Sequence, residues 1–273
     1  MTEPNNALPE QAPSETPAAQ PAPKPKSGGL SPALMSGAAL ALSVIALGVA
    51  SLPYISGGFG QQVRSYLIAN PQVLDEVLAA RQQQEEQGAV SSINAAVEAN
   101  PALLAIDARD PVFGPADAKV TVIEFFDFRC GGCKAVAPQY RALMEANPDV
   151  RFVFKDWPIL DQGQTVTSQY AARAALAAHQ QGKYLEVYDD LMAAPGLDQQ
   201  IIDTILTENG VNLEQARAAI ASDDMTRHVT DIHTAAAAMG LRGTPTFFVN
   251  GKAAPNIDPA FVGQMIEQAK SAK

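Results

Sequence analysis

Cysteine is scarce in this chain, which has only two among its 273 residues, and both lie in the stretch CGGC at residues 130–133. Two cysteines cannot build the framework of a disulfide-rich scaffold. A structural zinc site needs four ligands, and the three histidines of the chain lie far from the pair in sequence. A disulfide that closes so short a loop also removes little entropy from the unfolded chain. These absences favour redox chemistry over a metal site or a purely structural disulfide.

A basic cluster is also missing. The formal net charge is -10 and the pI is near 4.7, and the 19 Lys and Arg residues are scattered along the chain. Proteins that hold nucleic acid neutralise phosphates with clustered basic side chains. We therefore expect no nucleic-acid partner.

Residues 1–29 contain almost no large apolar side chains and are rich in Pro, with Ala, Gln, Glu and Ser. A segment of this composition buries too little apolar surface to offset the entropy that it would lose on ordering. The composition predicts a disordered, proline-rich tail.

Charge is absent from residues 27–63, and residues 30–55 are the most apolar part of this run. About 20 apolar residues in a helix cross a bilayer, so residues 30–55 predict a transmembrane helix. Lys24 and Lys26 lie closer to the run than Arg64 does, and positive charge favours the cytoplasmic side of a membrane span. The sequence therefore predicts a single-pass inner-membrane protein with the residues after the span in the periplasm. Two alternatives stay open: a cleaved signal sequence that leaves a soluble periplasmic protein, and a buried helix of a soluble protein.

Residues 61–106 predict a helical stalk that is broken at two Asn-Pro steps, at residues 70–71 and 100–101. Between the breaks, Val73, Leu74, Val77 and Leu78 recur on one helical face. Such an apolar stripe must be covered, either by the domain that follows or by further copies of the chain.

The remaining sequence alternates between strand and helix patterns. A buried strand is predicted at residues 119–128, a helix interrupted by Pro138 at 134–146, and a second strand at 150–157. Helices are predicted across residues 163–240, a hairpin with an Asn-Gly turn at 246–255, and a last helix at 258–270. A strand, a helix and a strand in this order form a parallel unit, so the fold class is α/β.

The cysteine pair lies between the first buried strand and the helix that follows it. The first residues of a helix have unpaired N–H groups and the positive end of the helix dipole, which stabilise a thiolate. We therefore expect Cys130 to be the attacking sulfur and Cys133, one turn further along, to be the resolving one.

The stretches EFFDFRCGGCKAVAP and RGTPTFFVNGK resemble the DsbA-like branch of the thioredoxin superfamily. The resemblance implies a thioredoxin fold over residues 107–273 with an inserted helical domain at about 161–240. It implies a thiol:disulfide oxidoreductase without an organic cofactor or metal. Its implied partners are cysteine-containing exported proteins and a redox partner that resets the cysteine pair.

The same resemblance assigns further site residues. Thr244 and Pro245 match the cis-proline loop of the family, which lies against the cysteines and offers its backbone to an extended substrate. Glu124 matches the buried acid that moves the proton of the resolving thiol; the alternative is an acid that faces solvent or pairs with Lys155. We interpret Asp127 as a solvated or turn residue.

The direction of the chemistry stays open at this stage. The Gly-Gly pair between the cysteines departs from the proline-containing pairs of DsbA-like oxidases, so oxidase, isomerase and reductase roles are all compatible with the sequence. Residues 63–78 resemble the N-terminal oligomerisation segment of suppressor-of-copper-sensitivity disulfide isomerases, which implies a homo-oligomer through residues 61–106. The alternative function is a Cu(I)-binding module for metal delivery, because soft thiolates select that ion.

Overall fold

The computed structural model describes residues 42–51, 58–163 and 167–272, and the chain divides into two units between Leu74 and Asp75. The predicted tail at residues 1–29 and most of the predicted transmembrane segment at 30–55 lie outside the described residues. Residues 42–51 are helical and largely exposed. Over the described ranges, we find no helix whose length and apolar character would let it span a bilayer.

The second unit is built on a five-stranded mixed sheet with the strand order β1-β3-β2-β4-β5. The central strands β2 and β3 are parallel, and all other neighbouring pairs are antiparallel. The bounds are β1 (Val112–Phe113), β2 (Thr121–Phe126), β3 (Arg151–Asp156), β4 (Thr246–Val249) and β5 (Lys252–Ala253). Continuous apolar runs predicted β2 and β3, whereas β1 is too short to show a periodic pattern.

Helices surround this sheet and also precede it. Before the sheet come α1 (Gly58–Ala69) and α2 (Gln72–Ala99), α3 (Gly131–Ala146) joins β2 to β3, and α9 (Pro259–Ser271) follows β5. Between β3 and β4 lie α4 (Thr167–His179), α5 (Tyr184–Ala193), α6 (Gln199–Glu208), α7 (Leu213–Ile220) and α8 (Asp223–Met239).

The helix at the cysteine pair, α3, is longer than predicted. It begins directly after Cys130 and continues through Pro138, where the sequence predicted an interruption. Proline removes one helical hydrogen bond. Buried Ala137 and Tyr140 flank Pro138 on α3 and pack in the core, so packing on both sides of the proline keeps the helix continuous.

The core lies on both faces of the sheet because side chains alternate along each strand. Phe126 and Phe154 lie on the face that packs against α3 and α5. Phe125, Val153 and Trp157 lie on the opposite face. The two faces therefore form separate apolar clusters, and the residues of the candidate site belong to the first.

The end of the predicted stalk contributes side chains to the apolar core of the domain. The helices break at Asn70 and Asn100 as the prolines predicted, but Ile93 and Val97 of α2 are buried in the second apolar cluster. The side-chain oxygen of Asn94 also accepts a 2.8 Å hydrogen bond from the backbone N–H of Ala253 on β5. The core of the domain therefore starts within α2, before the predicted boundary at residue 107.

Candidate active site

The site is built around the N-terminus of α3. Cys130 is the N-cap residue of this helix, and its backbone N–H donates to the Asp127 carbonyl at 3.0 Å, which closes the turn after β2. Both cysteines are free thiols; Cys130 is half-buried and Cys133, one turn further along, is fully buried. The two sulfurs therefore differ in access to solvent although they belong to one short motif.

The surroundings of Cys130 favour its thiolate and lower the pKa of the thiol to about 5. The largest cause is a hydrogen bond from the Cys133 thiol; partial burial opposes it, and the Thr244 side chain and the backbone N–H groups of Cys133 and Gly132 add to the lowering. When protonated, the Cys130 thiol donates to the Thr244 carbonyl at 3.1 Å. Cys130 is therefore mostly ionised at neutral pH.

Cys133 behaves in the opposite way. Burial raises the pKa of its thiol far above the usual range, and its hydrogen bond to Cys130 and the nearby charge of Glu124 raise it further. The pair thus combines an accessible, ionised sulfur with a buried, protonated one. That arrangement suits two successive steps, in which one sulfur reacts first and the other only after a base has removed its proton.

The loop at Thr244 and Pro245 lies against the cysteines, and the peptide bond between the two residues is cis. A Cβ atom added to Gly132 would lie 3.5 Å from Cδ of Pro245 and 3.6 Å from Cδ1 of Ile257. Ile257 is 44% exposed beside this turn. No sequence pattern singled out Ile257, because it lies in a loop without periodicity.

Glu124 lies on β2 beneath α3 and is completely buried. Within the described part of the chain, neither of its carboxylate oxygens has a hydrogen-bond partner. Burial raises the pKa of Glu124 well above its usual range, and the charge of Asp156 adds to the effect, whereas the nearby Tyr188 hydroxyl opposes it. The alternative pairing with Lys155 does not occur, because the Lys155 ammonium group contacts Asp110 and the Ala105 carbonyl instead.

Several polar residues around Glu124 were missed at the sequence level. Asp156 on β3 is buried and accepts a 2.9 Å hydrogen bond from the Tyr184 hydroxyl. The hydroxyls of Tyr140 and Tyr188 are buried in the same cluster. Strand alternation was the available signal, since Asp156 follows Phe154 by two residues and must share its face.

Of the two alternatives for Asp127, the solvated residue is wrong because the side chain is buried, and the turn residue is confirmed because its carbonyl closes the turn to Cys130. Its carboxylate accepts hydrogen bonds from the backbone N–H groups of Arg129, Ile159 and Leu160 at 2.8 to 3.0 Å. It also accepts a 3.0 Å bond from the Ser168 hydroxyl on α4. Asp127 therefore joins the turn before Cys130 to the loop after β3 and to the first helix that follows it.

The described part of the site offers no cluster of metal ligands. Across residues 42–51, 58–163 and 167–272, no three His, Cys, Asp or Glu side chains are grouped so that they could hold a metal ion.

Two family models match this chain. The family model described as Thioredoxin matches residues 107–268. The chain belongs to the thioredoxin family. A second model, described as the N-terminal domain of copper resistance protein ScsC, matches residues 58–87. The predicted resemblance to the DsbA-like and suppressor-of-copper-sensitivity branch of the thioredoxin superfamily is confirmed.

Known proteins similar to this thioredoxin-family chain include a thioredoxin-like oxidoreductase from Silicibacter pomeroyi DSS-3, with 34% identity and a TM-score of 0.58 over 64% of this chain and 99% of that one. A linker-deletion mutant of ScsC from Proteus mirabilis has 22% identity and a TM-score of 0.58 over 77% of this chain and 92% of that one. The Na(+)/H(+) antiporter NhaA 3 from Salinispora tropica is 34% identical over 145 residues, which are 53% of this chain and 22% of the antiporter.

The chain spans about a fifth of the length of the curated relatives that it matches. In contrast, the chain covers 99% of the Silicibacter oxidoreductase. The predicted enzyme class of this domain, an oxidoreductase of the thioredoxin family, is confirmed.

Proposed function

We propose that this chain forms or reshuffles disulfides in exported, cysteine-containing proteins, as an oxidase or an isomerase. The observation that carries the proposal is that the pKa values of two neighbouring thiols are shifted in opposite directions. The pKa of the half-buried Cys130 is lowered to about 5, while burial raises that of Cys133. One sulfur is thus ready to react and the other is held back until a substrate is attached.

The reaction runs by two thiol–disulfide exchanges. In isomerisation, the Cys130 thiolate attacks a substrate disulfide, and one substrate sulfur leaves as a thiolate. A different substrate thiolate then attacks the substrate sulfur that is bonded to Cys130, which forms a new substrate disulfide and releases the Cys130 thiolate. In oxidation, a substrate thiolate attacks Cys130 in the Cys130–Cys133 disulfide, and Cys133 leaves and takes up a proton. A second substrate thiolate then releases Cys130, so that two substrate thiols are oxidised and the enzyme pair is reduced.

The charge on Cys130 favours these two roles over that of a reductase. Every interaction that stabilises the Cys130 thiolate stabilises the reduced pair, which makes the disulfide a stronger oxidant. Across the thioredoxin superfamily, the attacking thiol has a pKa of about 3.5 in DsbA, a strong oxidant, and about 7 in thioredoxin, a reductant. A pKa of about 5 lies between them.

Thr244 and Pro245 hold the substrate in this proposal. The Thr244 carbonyl lies 3.1 Å from the Cys130 sulfur, so an extended substrate segment that pairs with the backbone of Thr244 brings its own cysteine next to Cys130. Backbone pairing places few demands on side chains. Tolerance for many substrate sequences follows from this mode of binding.

Residues 61–106 support a homo-oligomer, and the apolar run at 30–55 supports an inner-membrane anchor with the catalytic domain in the periplasm. Large apolar side chains are exposed on α1 and on the first turns of α2, namely Val63, Tyr66, Ile68, Leu74, Val77 and Leu78. Exposed apolar stripes of this kind favour association. Several active sites in one assembly would act on one substrate, as reshuffling requires, and a separate redox partner would reset the cysteine pair.

The reduction potential of the pair, together with two activity assays, tests the proposal. We expect a potential more oxidising than that of thioredoxin, about −270 mV, and reactivation of scrambled ribonuclease that is lost in Cys130→Ser. Anaerobic titration with Cu(I) tests the alternative, in which the ion is cargo held by both sulfurs. Tight copper binding without exchange activity would refute our proposal, and the raised pKa of Cys133 disfavours that result because copper needs both thiolates.

A further inference from the structure

Two buried acids share one compartment beneath the cysteine pair. Glu124 on β2 lies opposite Phe154 in the parallel register, and Asp156 on β3 lies opposite Phe126. The two carboxyl groups are therefore on the same face of the sheet, one pleat apart on neighbouring strands. Both residues are at most 1% exposed.

Among the described residues, no cation neutralises this pair. Both oxygens of Glu124 and one oxygen of Asp156 have no hydrogen-bond partner within the same ranges of the chain. The other Asp156 oxygen accepts a bond from the neutral Tyr184 hydroxyl at 2.9 Å. Lys155, the nearest basic residue in sequence, alternates to the opposite face and pairs with Asp110. When two carboxyl groups are buried together without a cation, the ionisation of one raises the pKa of the other, because the second charge has to form beside the first.

The other titratable groups around the pair do not change this conclusion. Burial raises the pKa of Tyr140, Tyr184 and Tyr188, so all three hydroxyls are neutral at physiological pH. Burial also raises the pKa of Asp156, and the charge of Asp110 adds to that effect across the sheet. The remaining groups that face the compartment or its edge are Cys133 and Cys130 on α3, and His179, whose ring packs on Tyr184 at 5.9 Å between centroids.

We propose that Asp156 is a positioning residue that sets the pH at which Glu124 accepts the proton of Cys133, because the two carboxyl groups repel each other when both are charged. The inference rests on the proposed function. In the resolving step, which is the reverse of the first exchange of oxidation and releases a trapped substrate, the Cys133 thiol gives its proton to the Glu124 carboxylate. The Cys133 thiolate then attacks Cys130 in the mixed disulfide. The Cys130–substrate bond breaks, the Cys130–Cys133 bond forms, and the substrate sulfur leaves as a thiolate with the electron pair. Asp156 never touches the reacting sulfurs; its charge makes Glu124 a stronger base.

The test follows the resolving step over a pH range. The full-length reduced protein in mild detergent is mixed with a peptide disulfide, and release of the peptide thiol from the mixed disulfide is measured in a single turnover between about pH 4.5 and 9. Asp156→Asn removes the neighbouring charge, so we expect the acid limb of the profile to move about one pH unit lower. Near-UV circular dichroism checks that each variant keeps its packed core.

Double substitution separates an effect through Glu124 from a general disturbance. In the E124Q background, D156N should leave the midpoint of the profile unchanged, because the acid on which Asp156 acts is gone. Tyr184→Phe retains both acids but removes the hydrogen bond that stabilises charged Asp156, so it should shift the limb in the same direction by a smaller amount. This variant carries the test if D156N does not fold.

An unshifted midpoint in D156N, or an equal shift in the E124Q background, would overturn the role of Asp156. A folded Y184F protein with an unshifted midpoint would do the same where D156N cannot be used. Failure of the proposed function looks different, because the unsubstituted protein would then release no peptide thiol at any pH.

Discussion

At the scale of single residues, the chemistry depends on the difference between two sulfurs that are three positions apart. Cys130 is stabilised as a thiolate first by the Cys133 thiol and then by groups at the start of α3 and at Thr244. Cys133 is held as a thiol by burial. The resolving residue thus also activates the attacking one, and the two functions can be separated by substitution.

Replacing Cys133 tests this activation directly. In Cys133→Ala the strongest hydrogen bond to the Cys130 thiolate is lost, so the pKa of Cys130 should rise from about 5 by roughly one to two units. Thiolate absorbance near 240 nm, followed against pH, measures the change. Thr244→Val is the matched comparison and should raise the pKa less, and a Cys130 that still titrates near 5 in Cys133→Ala would refute the assignment.

The lowered pKa of Cys130 also predicts how the two redox forms differ in stability. Its folded value of about 5 lies below the usual value of 9.0, so the thiolate stabilises the reduced form most at high pH and loses this contribution as pH falls to 5. The thiolate is absent from the oxidised form. The free energy of unfolding of the reduced protein should therefore gain on that of the oxidised protein between pH 5 and 8.

Urea unfolding of both forms at several pH values provides the measurement. Below pH 5 the contribution of Cys130 should be absent, which gives an internal reference for the comparison. The raised pKa of Cys133 does not interfere in this range, since that thiol stays protonated in the folded and unfolded chain up to about pH 8. A stability difference that stays constant from pH 5 to 8 would contradict an ionised Cys130.

At the scale of secondary-structure elements, Asp127 connects three parts of the fold that are distant in sequence. Asp127→Ala leaves three backbone N–H groups and the Ser168 hydroxyl without their buried acceptor. Because hydrogen bonds to charged groups contribute about 1.5–3 kcal/mol each, and losses within one network do not add, we expect a cost of about 3–5 kcal/mol. Denaturant unfolding measures it, and Asp117→Ala, at an exposed position, should change stability by less than about 0.5 kcal/mol.

Elements that depend on neighbours in sequence were predictable, and those that depend on distant contacts were not. The Asn250-Gly251 pair predicted a hairpin, and both residues have positive φ, 46° and 80°, in the turn between β4 and β5. The burial of Asp127 could not be predicted, because its acceptor role requires N–H groups more than thirty residues away. Strand alternation could have placed Asp156 on the buried face of β3, but its partner Tyr184 lies on a helix of the insert and could not be predicted.

The prolines show the same difference between local preference, which could be predicted, and tertiary packing, which could not. The Asn-Pro steps ended α1 and α2 as predicted, because the residue before each proline is pushed out of the helical region. Pro138 failed to interrupt α3 because its neighbours are buried against the sheet. Local preference thus decided the helix ends, and tertiary packing decided the helix interior.

At the scale of the whole molecule, the first turns of α2 leave large apolar side chains exposed ahead of the thioredoxin-family domain. Val77 and Leu78 on α2 are 58% and 62% exposed. Side chains of this kind remain in water only at a cost of about 25 cal/mol for each Å² of apolar surface. Burial between copies of the chain would remove that cost and would bring several cysteine pairs into one assembly.

Charge substitution on this helix tests the predicted assembly. In Val77→Glu/Leu78→Glu the apolar stripe acquires two negative charges that would have to be buried between copies, so we expect dissociation to a monomer. Size-exclusion chromatography with light scattering on the detergent-solubilised full chain measures the mass. Gln83→Glu/Gln84→Glu adds the same charge to exposed polar positions of α2 and should keep the oligomer. If the unsubstituted chain is already monomeric, the stripe has no role in self-association and residues 61–106 serve only as a spacer. If it is oligomeric, the dissociated variant should lose reactivation of scrambled ribonuclease while its Cys130 still titrates near pH 5. That result would assign isomerisation to the assembly and exchange chemistry to the single domain.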